Sequence, residues 1–424
     1  DYGTLATSNT RDDLKNSRLI IAWGWNPAVS IQSTNTSFYL AQAREAGAMI
    51  VCVDPRYTDT AAIFANQWIP IRPATDTAVM VAMAYVIIHE NLQDQKFLDT
   101  YTIGFDQFKE YVLGIEDGVS KTPLWAQEIT GVPAVAIEKL ARDYATIKPA
   151  ALMPGFAPGR TPYGEQFHRV ASALAAMTGN IGVHGGNAPG FDRGPVGIQM
   201  GFMLPVGKNP TEARAPHLSA SLDSSLRSQT RVNKSKLWDA ILRGKAGGYP
   251  SDIKLLWSAC GNPLNECPNT NKGVQALKSL DFVVVNEQFL TATARFADIL
   301  LPAKMMGERT DIFRPWLSGP YYIFGNKAIE SPDECKTEFE IACELAPRLG
   351  VTGYSDKTED EWLRFIVKSS NDMSRDIPDY DEFKRKGIYK IPLKGPLVAF
   401  EKQIQDPRSN PFPTPSGKIE IYCQ

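Results

Sequence analysis

RLIIAWGWNPAVS, residues 18–30, is the first of three stretches that decide the fold; the other two are AGAMIVCVDPRYTDTAA (46–62) and NQWIPIRPATDTAVM (66–80). Each begins with an apolar run, continues with loop residues such as Gly, Asn, Asp and Pro, and leads into a helical pattern. This alternation predicts parallel strands joined by crossover helices. Ligands of open α/β sheets lie beyond the carboxyl ends of the strands. We therefore expect these loops to meet there and to hold a large nucleotide-bearing cofactor.

The composition argues against several classes of protein. The 424 residues are enough for two or three domains, and 43% of them are hydrophobic. Forty-five Lys and Arg against 47 Asp and Glu give a net charge of −2, which offers no basis for a nucleic-acid partner. No apolar run approaches the roughly 20 residues that span a bilayer, so direct membrane insertion is not expected. The six cysteines form no CxxC pair and the four histidines form no cluster, so we expect no metal site within the chain.

The loop after the first strand offers polar groups to a ligand. Gly24 permits close approach of a backbone, and Asn26 supplies both hydrogen-bond donors and an acceptor. The loop is not GxGxxG, so the ordinary dinucleotide fingerprint is absent. Because Asn-Pro is also good turn chemistry, a plain turn is the alternative.

Charged residues follow the next strands. Asp54 lies where doubly wound folds place an acid on a ribose hydroxyl, and Arg56 could pair with a phosphate. Asp76 could accept hydrogen bonds from N1 and N2 of guanine. For both carboxylates the alternative is a helix cap, in the case of Asp54 on a helix that starts near Tyr57. Arg160, in the loop PGFAPGR, could bind a phosphate or a pterin oxygen, or be a solvated surface residue.

A second α/β unit begins near residue 253 and repeats this arrangement. Its first strand ends in GNPLN (261–265), and its next strand ends in Asn286-Glu287-Gln288. Turn chemistry explains any one such loop, but the repetition at strand ends favours a binding function. The polar stretch 211–248 before this unit is interpreted as a surface excursion.

A set of motifs connects the chain to a known family. In order along the chain they are WGWNPAVS, VDPRYTDTA, IRPATDTA, PGFAPGR, TGNIGVHGGN, GNPLN, TATARFADILLP and TPSGKIEIY. Together they resemble the dimethyl-sulfoxide-reductase family of molybdopterin oxidoreductases, and within it the catalytic A subunits of anaerobic dimethyl sulfoxide reductases. The resemblance implies a molybdenum atom held by bis(molybdopterin guanine dinucleotide). It also implies an α/β fold of two three-layer αβα domains with mostly parallel sheets, one for each dinucleotide.

The resemblance assigns the strand-end loops to the two dinucleotides. One dinucleotide is expected to bind Trp23, Gly24, Trp25, Asn26, Pro27, Asp54, Pro55, Arg56, Ala74, Thr75 and Asp76. Its pterin end is expected to approach Gly155, Pro158 and Arg160. The other dinucleotide is expected to bind Gly261, Asn262, Asn286, Glu287 and Gln288. No catalytic side chain and no metal ligand is expected in this chain.

The resemblance also implies how the chain fits into a longer protein. We expect a dinucleotide-binding α/β domain at residues 1–185, part of a second α/β domain at 186–345, and a helical connection at 346–424 that leads into a truncated C-terminal β-barrel. A [4Fe-4S] segment and the molybdenum ligand are expected upstream, so we expect the chain to be an internal fragment with little or no activity alone. The whole protein is expected to take a small-molecule substrate and to join an iron–sulfur electron-transfer subunit and a membrane-anchor subunit. Its expected place is the periplasm, or the extracytoplasmic face of a membrane.

Three functions remain open at the level of the sequence. The favoured one is reduction of sulfoxides or N-oxides by oxygen-atom transfer, with formate, nitrate, and sulfur or arsenic oxyanions as the substrates of other family members. The second is a scaffold relative that has lost the cofactor. A nicotinamide-dependent dehydrogenase ranks last because the first βαβ turn lacks the required glycines.

Overall fold

A computed structural model describes residues 1–4, 7–31, 35–190, 232–313, 321–332, 334–374 and 378–422. Contacts divide the chain into two units. The first unit contains the described residues 1–190, 321 and 390–422, and the second contains 232–313 and 322–389.

The first unit is built on a parallel sheet. The strands of this sheet are β1 (Leu19–Trp23), β2 (Met49–Val53), β3 (Gln67–Ile69) and β5 (Ala150–Pro154), and β4 (Thr102–Ile103) lies outside it. Strands β3, β2, β1 and β5 are neighbours in that order and run parallel, with Ile21 opposite both Val51 and Leu152. The helices are α1 (Thr36–Glu45), α2 (Asp59–Phe64), α3 (Asp76–His89), α4 (Gln95–Tyr101), α5 (Phe105–Leu113), α6 (Pro123–Thr130), α7 (Ala134–Thr146) and α8 (Glu165–Met177). The expected α/β class with mostly parallel sheets is confirmed.

Helices cover both faces of this sheet. Every residue of β1 is buried, and its alternate side chains enter two apolar cores. Leu19, Ile21 and Trp23 pack with residues of α3, α7 and α8, whereas Ile20 and Ala22 pack with residues of α1 and α2. A strand without polar residues is suited to this position, since neither face meets water. The layers leave the carboxyl ends of β1, β2 and β5 together at one edge.

The second unit contains a smaller parallel sheet and a separate three-stranded one. The strands are β6 (Leu255–Ala259), β7 (Phe282–Glu287), β8 (Ile299–Pro302), β9 (Asp311–Phe313), β10 (Tyr321–Gly325) and β11 (Ile388–Lys390). Strands β6, β7 and β8 run parallel, and β9 pairs antiparallel with β10. The helices are α9 (Leu237–Arg243), α10 (Pro263–Glu266), α11 (Thr270–Ser279), α12 (Glu338–Arg348), α13 (Glu359–Ser374) and α14 (Tyr380–Lys386). Among the helices that the structure describes, none has both the length and the hydropathy needed to cross a membrane.

The tail of the chain returns to the first unit. It contains α15 (Glu401–Gln405) and β12 (Ile419–Glu420). β12 pairs parallel with β4, and Ile419 is fully buried in the core that also contains Trp23. Residues 390–422 therefore belong to the first unit, which differs from the expected separate connection at 346–424. The C-terminal β-barrel stays a prediction.

Two expectations from the sequence are wrong at the level of single elements. α2 begins at Asp59 behind Thr58, whose Oγ1 accepts the Ala61 amide hydrogen at 3.2 Å, so Asp54 does not cap a helix near Tyr57. The stretch 211–248 is not only a surface excursion. Its residues 232–248 include α9, whose Trp238 and Ile241 are buried against α11, and residues 211–231 lie outside the described part.

Candidate functional site

The carboxyl ends of β1, β2 and β5 surround a cleft with a volume of about 570 Å³. The strands run parallel and end at one edge, so loops that are distant in sequence become its walls. Eight residues expected to bind a cofactor line it: Gly24, Trp25, Asn26, Pro27, Asp54, Arg56, Gly155 and Arg160. Six others from the first unit lie off its lining: Trp23, Pro55, Ala74, Thr75, Asp76 and Pro158.

Two glycines set the spacing of the cleft walls. The Gly155 amide donates to the Trp23 carbonyl at 2.7 Å, and the Gly24 amide donates to the Val53 carbonyl at 2.8 Å. A Cβ on Gly155 would lie 1.7 Å from the Gly24 carbonyl oxygen, so no larger residue fits without a backbone shift. Gly24 has φ +56°, a conformation that glycine adopts without steric cost. The three strand ends are therefore joined through backbone contacts.

The Asn26 side chain is held by a residue beyond the next strand. Its Oδ1 accepts hydrogen bonds from the Thr60 amide at 3.2 Å and from the Thr60 hydroxyl at 2.7 Å. The Thr60 hydroxyl in turn accepts the Ala28 amide hydrogen at 3.1 Å. The Asn26 carbonyl also accepts the Val29 amide at 3.1 Å, so the loop is a turn as well as a wall of the cleft.

A carboxylate and two arginines give the cleft mixed charge. Asp54 Oδ1 accepts the Arg56 amide hydrogen at 3.0 Å. Burial raises the pKa of Asp54, while the Arg56 amide and charge act in the opposite direction. Arg56 and Arg160 are exposed on the lining, where their guanidinium groups are accessible to an anion. This arrangement suits a ligand with both hydroxyl and phosphate groups.

Asp76 occupies a different place from the one expected. Its Oδ1 accepts the indole N–H of Trp23 at 2.9 Å, and both side chains are buried in the first unit. Burial raises the pKa of Asp76, and the Trp23 hydrogen bond opposes this. Asp76 is the first residue of α3, and the Thr75 hydroxyl donates to the Arg72 carbonyl at 2.7 Å instead of capping the helix. The cap alternative is therefore wrong, and a guanine contact through the second Asp76 oxygen stays a prediction.

Arg11 lines the cleft although sequence analysis did not single it out. It begins a 3₁₀ turn, Arg11–Asn16, and is 7% exposed. Its guanidinium carbon lies 5.2 Å from the centre of the Trp25 ring, within the range of a cation–π contact. Burial lowers the pKa of Arg11 to about 10, which keeps it cationic at neutral pH. A polar lead-in without periodicity gave no signal that this arginine would reach the cleft.

The second unit reproduces the Asn26 contacts at GNPLN. Asn262 Oδ1 accepts the Thr293 amide at 3.1 Å and the Thr293 hydroxyl at 2.7 Å. The Thr293 hydroxyl accepts the Leu264 amide hydrogen at 3.0 Å. Each distance lies within about 0.1 Å of its counterpart in the first unit. Each unit therefore has the same asparagine–threonine hydrogen bonds at the end of a strand. Sequence analysis did not predict the two threonines.

Other residues expected at this second loop cluster lie at the end of β7. Asn286 is 4% exposed, and within the described residues its Nδ2 has no hydrogen-bond partner. Glu287 accepts the Gln288 amide hydrogen at 2.8 Å, and Gln288 Nε2 donates to the Lys304 carbonyl at 3.3 Å. Leaving a buried donor unpaired costs about 1–3 kcal/mol, so the Asn286 amide is a group that a ligand would satisfy.

The histidines and cysteines do not assemble into a metal site in the described ranges. His184 Nδ1 lies 2.8 Å from Asp13 Oδ1, and Asp13 Oδ2 also accepts the Gly185 amide hydrogen. This buried carboxylate anchors the start of the glycine-rich passage, which continues beyond the described residues. His168 lies within α8, where burial lowers its pKa.

Comparisons with known proteins show the family of the chain. Residues 2–348 match the Molybdopterin oxidoreductase family. The chain is 38% identical over its whole length to dimethyl sulfoxide reductase DmsA of Escherichia coli (strain K12), of which it covers 54%. It is 33% identical over 96% of its length to a trimethylamine-N-oxide reductase of Haemophilus influenzae, of which it covers 52%.

A solved structure has the same fold. Acetylene hydratase from Pelobacter acetylenicus matches with a TM-score of 0.71, over 99% of this chain and 56% of that one. At 22% identity this likeness supports the fold alone. The chain spans about half the length of the curated relatives it matches. The family match confirms the resemblance seen in the motifs: the chain belongs to the molybdopterin oxidoreductases, a family defined by its molybdenum–molybdopterin cofactor.

Proposed function

We propose that this chain holds bis(molybdopterin guanine dinucleotide) and that the longer protein containing it reduces sulfoxides or N-oxides. The proposed substrates follow from relatives that are named as reductases of dimethyl sulfoxide and of trimethylamine N-oxide. The cofactor form is supported chiefly by one observation, the cleft at the ends of β1, β2 and β5 with its particular donors.

The donors of this cleft fit a dinucleotide. Arg11, Arg56 and Arg160 surround a volume of about 570 Å³ with three cations, which suits a diphosphate. Asn26 adds a neutral donor beside them, and the partly buried Asp54 carboxylate can accept from a ribose hydroxyl. A single phosphate ester would need fewer cations than these walls supply.

The cleft also has flat apolar surfaces and close-packed backbone. Trp25 and Phe156 line it, and their rings can pack against a heterocycle. Gly24 and Gly155 bring the backbone of two walls into close contact, since a Cβ on Gly155 would lie 1.7 Å from the Gly24 carbonyl oxygen. In the second unit, Asn262 and the unsatisfied Asn286 amide offer a similar set of donors for the second dinucleotide.

The residues of this chain contribute binding and orientation to the proposed reaction. The arginines would neutralise phosphate charge, Asn26 would hold one phosphate oxygen in position, and Asp54 would orient the ribose. When bound, the molybdenum cofactor supplies the two-electron, oxygen-atom-transfer chemistry. Because these residues would hold the nucleotide part of the cofactor, their loss should reduce cofactor retention before it alters the chemistry.

The proposal extends to the assembly of the longer protein. Reduction of a sulfoxide consumes two electrons, so an electron supply must reach the cofactor. A [4Fe-4S] cluster upstream, an iron–sulfur partner subunit and a membrane-anchor subunit would provide that route. The family resemblance supports these partners and a periplasmic or extracytoplasmic location.

The test is composition and activity of the full-length protein, purified without oxygen. We expect molybdenum by mass spectrometry, two GMP released per molybdenum on acid hydrolysis, and reduction of dimethyl sulfoxide or trimethylamine N-oxide by a reduced viologen dye. Folded protein that contains neither molybdenum nor GMP after expression in a cofactor-producing host would refute the proposal.

Variants of the cleft arginines test whether the cofactor is bound in the cleft. The double change R56Q/R160Q removes two cations, each worth about 1.5–3 kcal/mol in a charged hydrogen bond, so cofactor content should fall at least tenfold. R142Q is the matched control, because Arg142 is an exposed arginine of α7 that does not line the cleft. Its guanidinium group pairs with the Glu90 carboxylate at 2.7 Å. An equal loss of cofactor in the control would mean that the cleft arginines have no specific role.

A further inference from the structure

We infer that Thr60 and Thr293 are positioning residues, each of which turns an asparagine amide so that only its NH2 group is available to the ligand. The asparagines are Asn26 and Asn262, and the inference rests on the proposed dinucleotide function. Neither threonine needs to touch the ligand. Each acts through the asparagine to which it is bonded.

Chemistry fixes the direction of every hydrogen bond in the first pair. A backbone N–H can only donate, so the Asn26 atom that faces the Thr60 amide at 3.2 Å must be the oxygen. The Thr60 hydroxyl accepts the Ala28 amide hydrogen, which leaves its own hydrogen to point at Asn26 Oδ1, 2.7 Å away. Both lone pairs of Oδ1 are then used. The amide has one orientation, with Nδ2 as its remaining donor.

The open side of Asn26 is the cleft. Asn26 lines the cavity, and both hydrogen bonds that Thr60 makes to its side chain end on Oδ1, which leaves Nδ2 as the group to offer to the cleft. Thr60 is fully buried, so water does not compete for its hydroxyl. A fixed NH2 group recognises acceptors such as phosphate oxygens and disfavours a ligand that presents a donor at this point.

The second unit has the same threonine–asparagine hydrogen bonds, which indicates that they have the same role in both units. Thr293 is also fully buried, and it makes the same three bonds to Asn262 and Leu264. Both loops contain the dipeptide Asn-Pro, but they differ before it, since Trp25 separates Gly24 from Asn26, whereas Gly261 directly precedes Asn262. The oriented amide is therefore kept although the start of the loop differs. We therefore expect both asparagines to meet acceptors of the same kind, one on each dinucleotide.

The experiment compares valine and serine at each threonine. Valine keeps the shape of threonine but loses the hydroxyl, and serine keeps the hydroxyl but loses the methyl group. Binding of GDP to the cofactor-free full-length protein is measured by calorimetry, with folding checked by circular dichroism. T60V should weaken GDP binding about tenfold, the equivalent of about 1.4 kcal/mol, whereas T60S should stay within about twofold of wild type. T293V and T293S should behave in the same way at the second site.

Several results would overturn the inference. If T60V and T60S bind GDP equally well, or if both lose the same affinity, the hydroxyl does not position Asn26. N26D tests the donor directly, because an oxygen would replace the NH2 group and repel phosphate. Binding by N26D at the wild-type level would refute the assignment of Nδ2.

A second measurement separates this inference from the proposed function. Wild-type protein that binds no GDP would count against the proposed function. The hydrogen bond between Thr60 and Asn26 is tested separately and without ligand, by NMR of the side-chain amide signals of 15N-asparagine-labelled protein. The Asn26 NH2 signals should have nearly the same chemical shifts in wild type and T60S, and should shift or broaden in T60V. Unchanged Asn26 signals in T60V would overturn the positioning role whatever GDP does.

Discussion

Gly155 offers the most direct perturbation of the cleft walls. In G155A the new Cβ would lie 1.7 Å from the Gly24 carbonyl oxygen, 2.5 Å from its carbon and 3.0 Å from the Trp25 Cα. These atoms belong to the backbone, so a side-chain rotation cannot relieve the clash. The end of β5 would have to move away from β1 by about 1 Å or more.

The magnitude follows from the kind of contact. Overpacking in a close-packed region costs about 1–3 kcal/mol, and backbone obstacles favour the upper end of that range. For a unit of this size, 3 kcal/mol corresponds to a Tm lower by about 6–12 °C. The moved loop would also displace Asn26 and Arg160 from each other, and loss of one charged hydrogen bond weakens phosphate binding by about tenfold or more.

The assay is thermal unfolding and GDP binding of G155A beside G395A. Gly395 is the matched control, since a Cβ there meets no atom within 4 Å and its backbone is not in the left-handed region. G395A should keep wild-type binding and stay within about 1 kcal/mol of wild-type stability. If G155A has the same Tm and the same GDP affinity as G395A, the reasoning about the joined strand ends is wrong.

Three further predictions test other parts of the structure. R11Q should lower GDP affinity about tenfold, because it removes the cation beside Trp25, and calorimetry with unchanged affinity would exclude Arg11 from the site. D360N should destabilise the second unit at pH 7 and progressively less toward acid pH. The hydrogen bond from the Tyr380 hydroxyl lowers the pKa of Asp360 in the folded protein to about 2. Because this pKa lies below the value of about 4 in the unfolded chain, the carboxylate stabilises the folded state fully above pH 4 and loses that contribution as the pH falls through 2. Urea unfolding that shows the same deficit at pH 7 and pH 2.5 would contradict this. I419A should cost about 2–5 kcal/mol in denaturant unfolding, because Ile419 is fully buried where β12 joins β4, and a cost below about 0.5 kcal/mol would show that the tail is not anchored.

The strand-end loops of the cleft could be predicted from the sequence for a physical reason. A strand covered on both faces must be apolar throughout, so β1 and β2 stand out as uninterrupted apolar runs that end at Gly24 and Asp54. Parallel pairing then brings those ends to one edge whatever the helices do. Half of the residues that line the cleft, eight of sixteen, were therefore accessible to reasoning from short stretches alone.

What the sequence did not reveal depends on contacts across long separations. Trp23 and Asp76 form one buried hydrogen bond although 53 residues separate them, and a cap was the natural local interpretation of Asp76. Thr60 holds Asn26 from 34 residues away. Arg11 lies in a 3₁₀ turn, which has no hydrophobic period to indicate its direction. Such pairings are decided by packing of whole elements, so periodicity and turn chemistry do not show them.

The tail shows the same limit in another way. TPSGKIEIY has the pattern of a strand, and a strand is present, but only two residues of it pair. They pair with β4, an equally short strand. The partner of a short strand depends on the edge that the fold leaves open, and a single-sequence pattern does not contain that information.

The central claim is that the cleft at the ends of β1, β2 and β5 receives a guanine dinucleotide. The most direct measurement is a crystallographic or cryo-electron-microscopy structure of the full-length protein loaded with its cofactor. The account predicts diphosphate density in this cleft, with a phosphate oxygen about 3 Å from Asn26 Nδ2 and flanked by Arg56 and Arg160. Cofactor density elsewhere, with only solvent between Asn26 and these arginines, would contradict it.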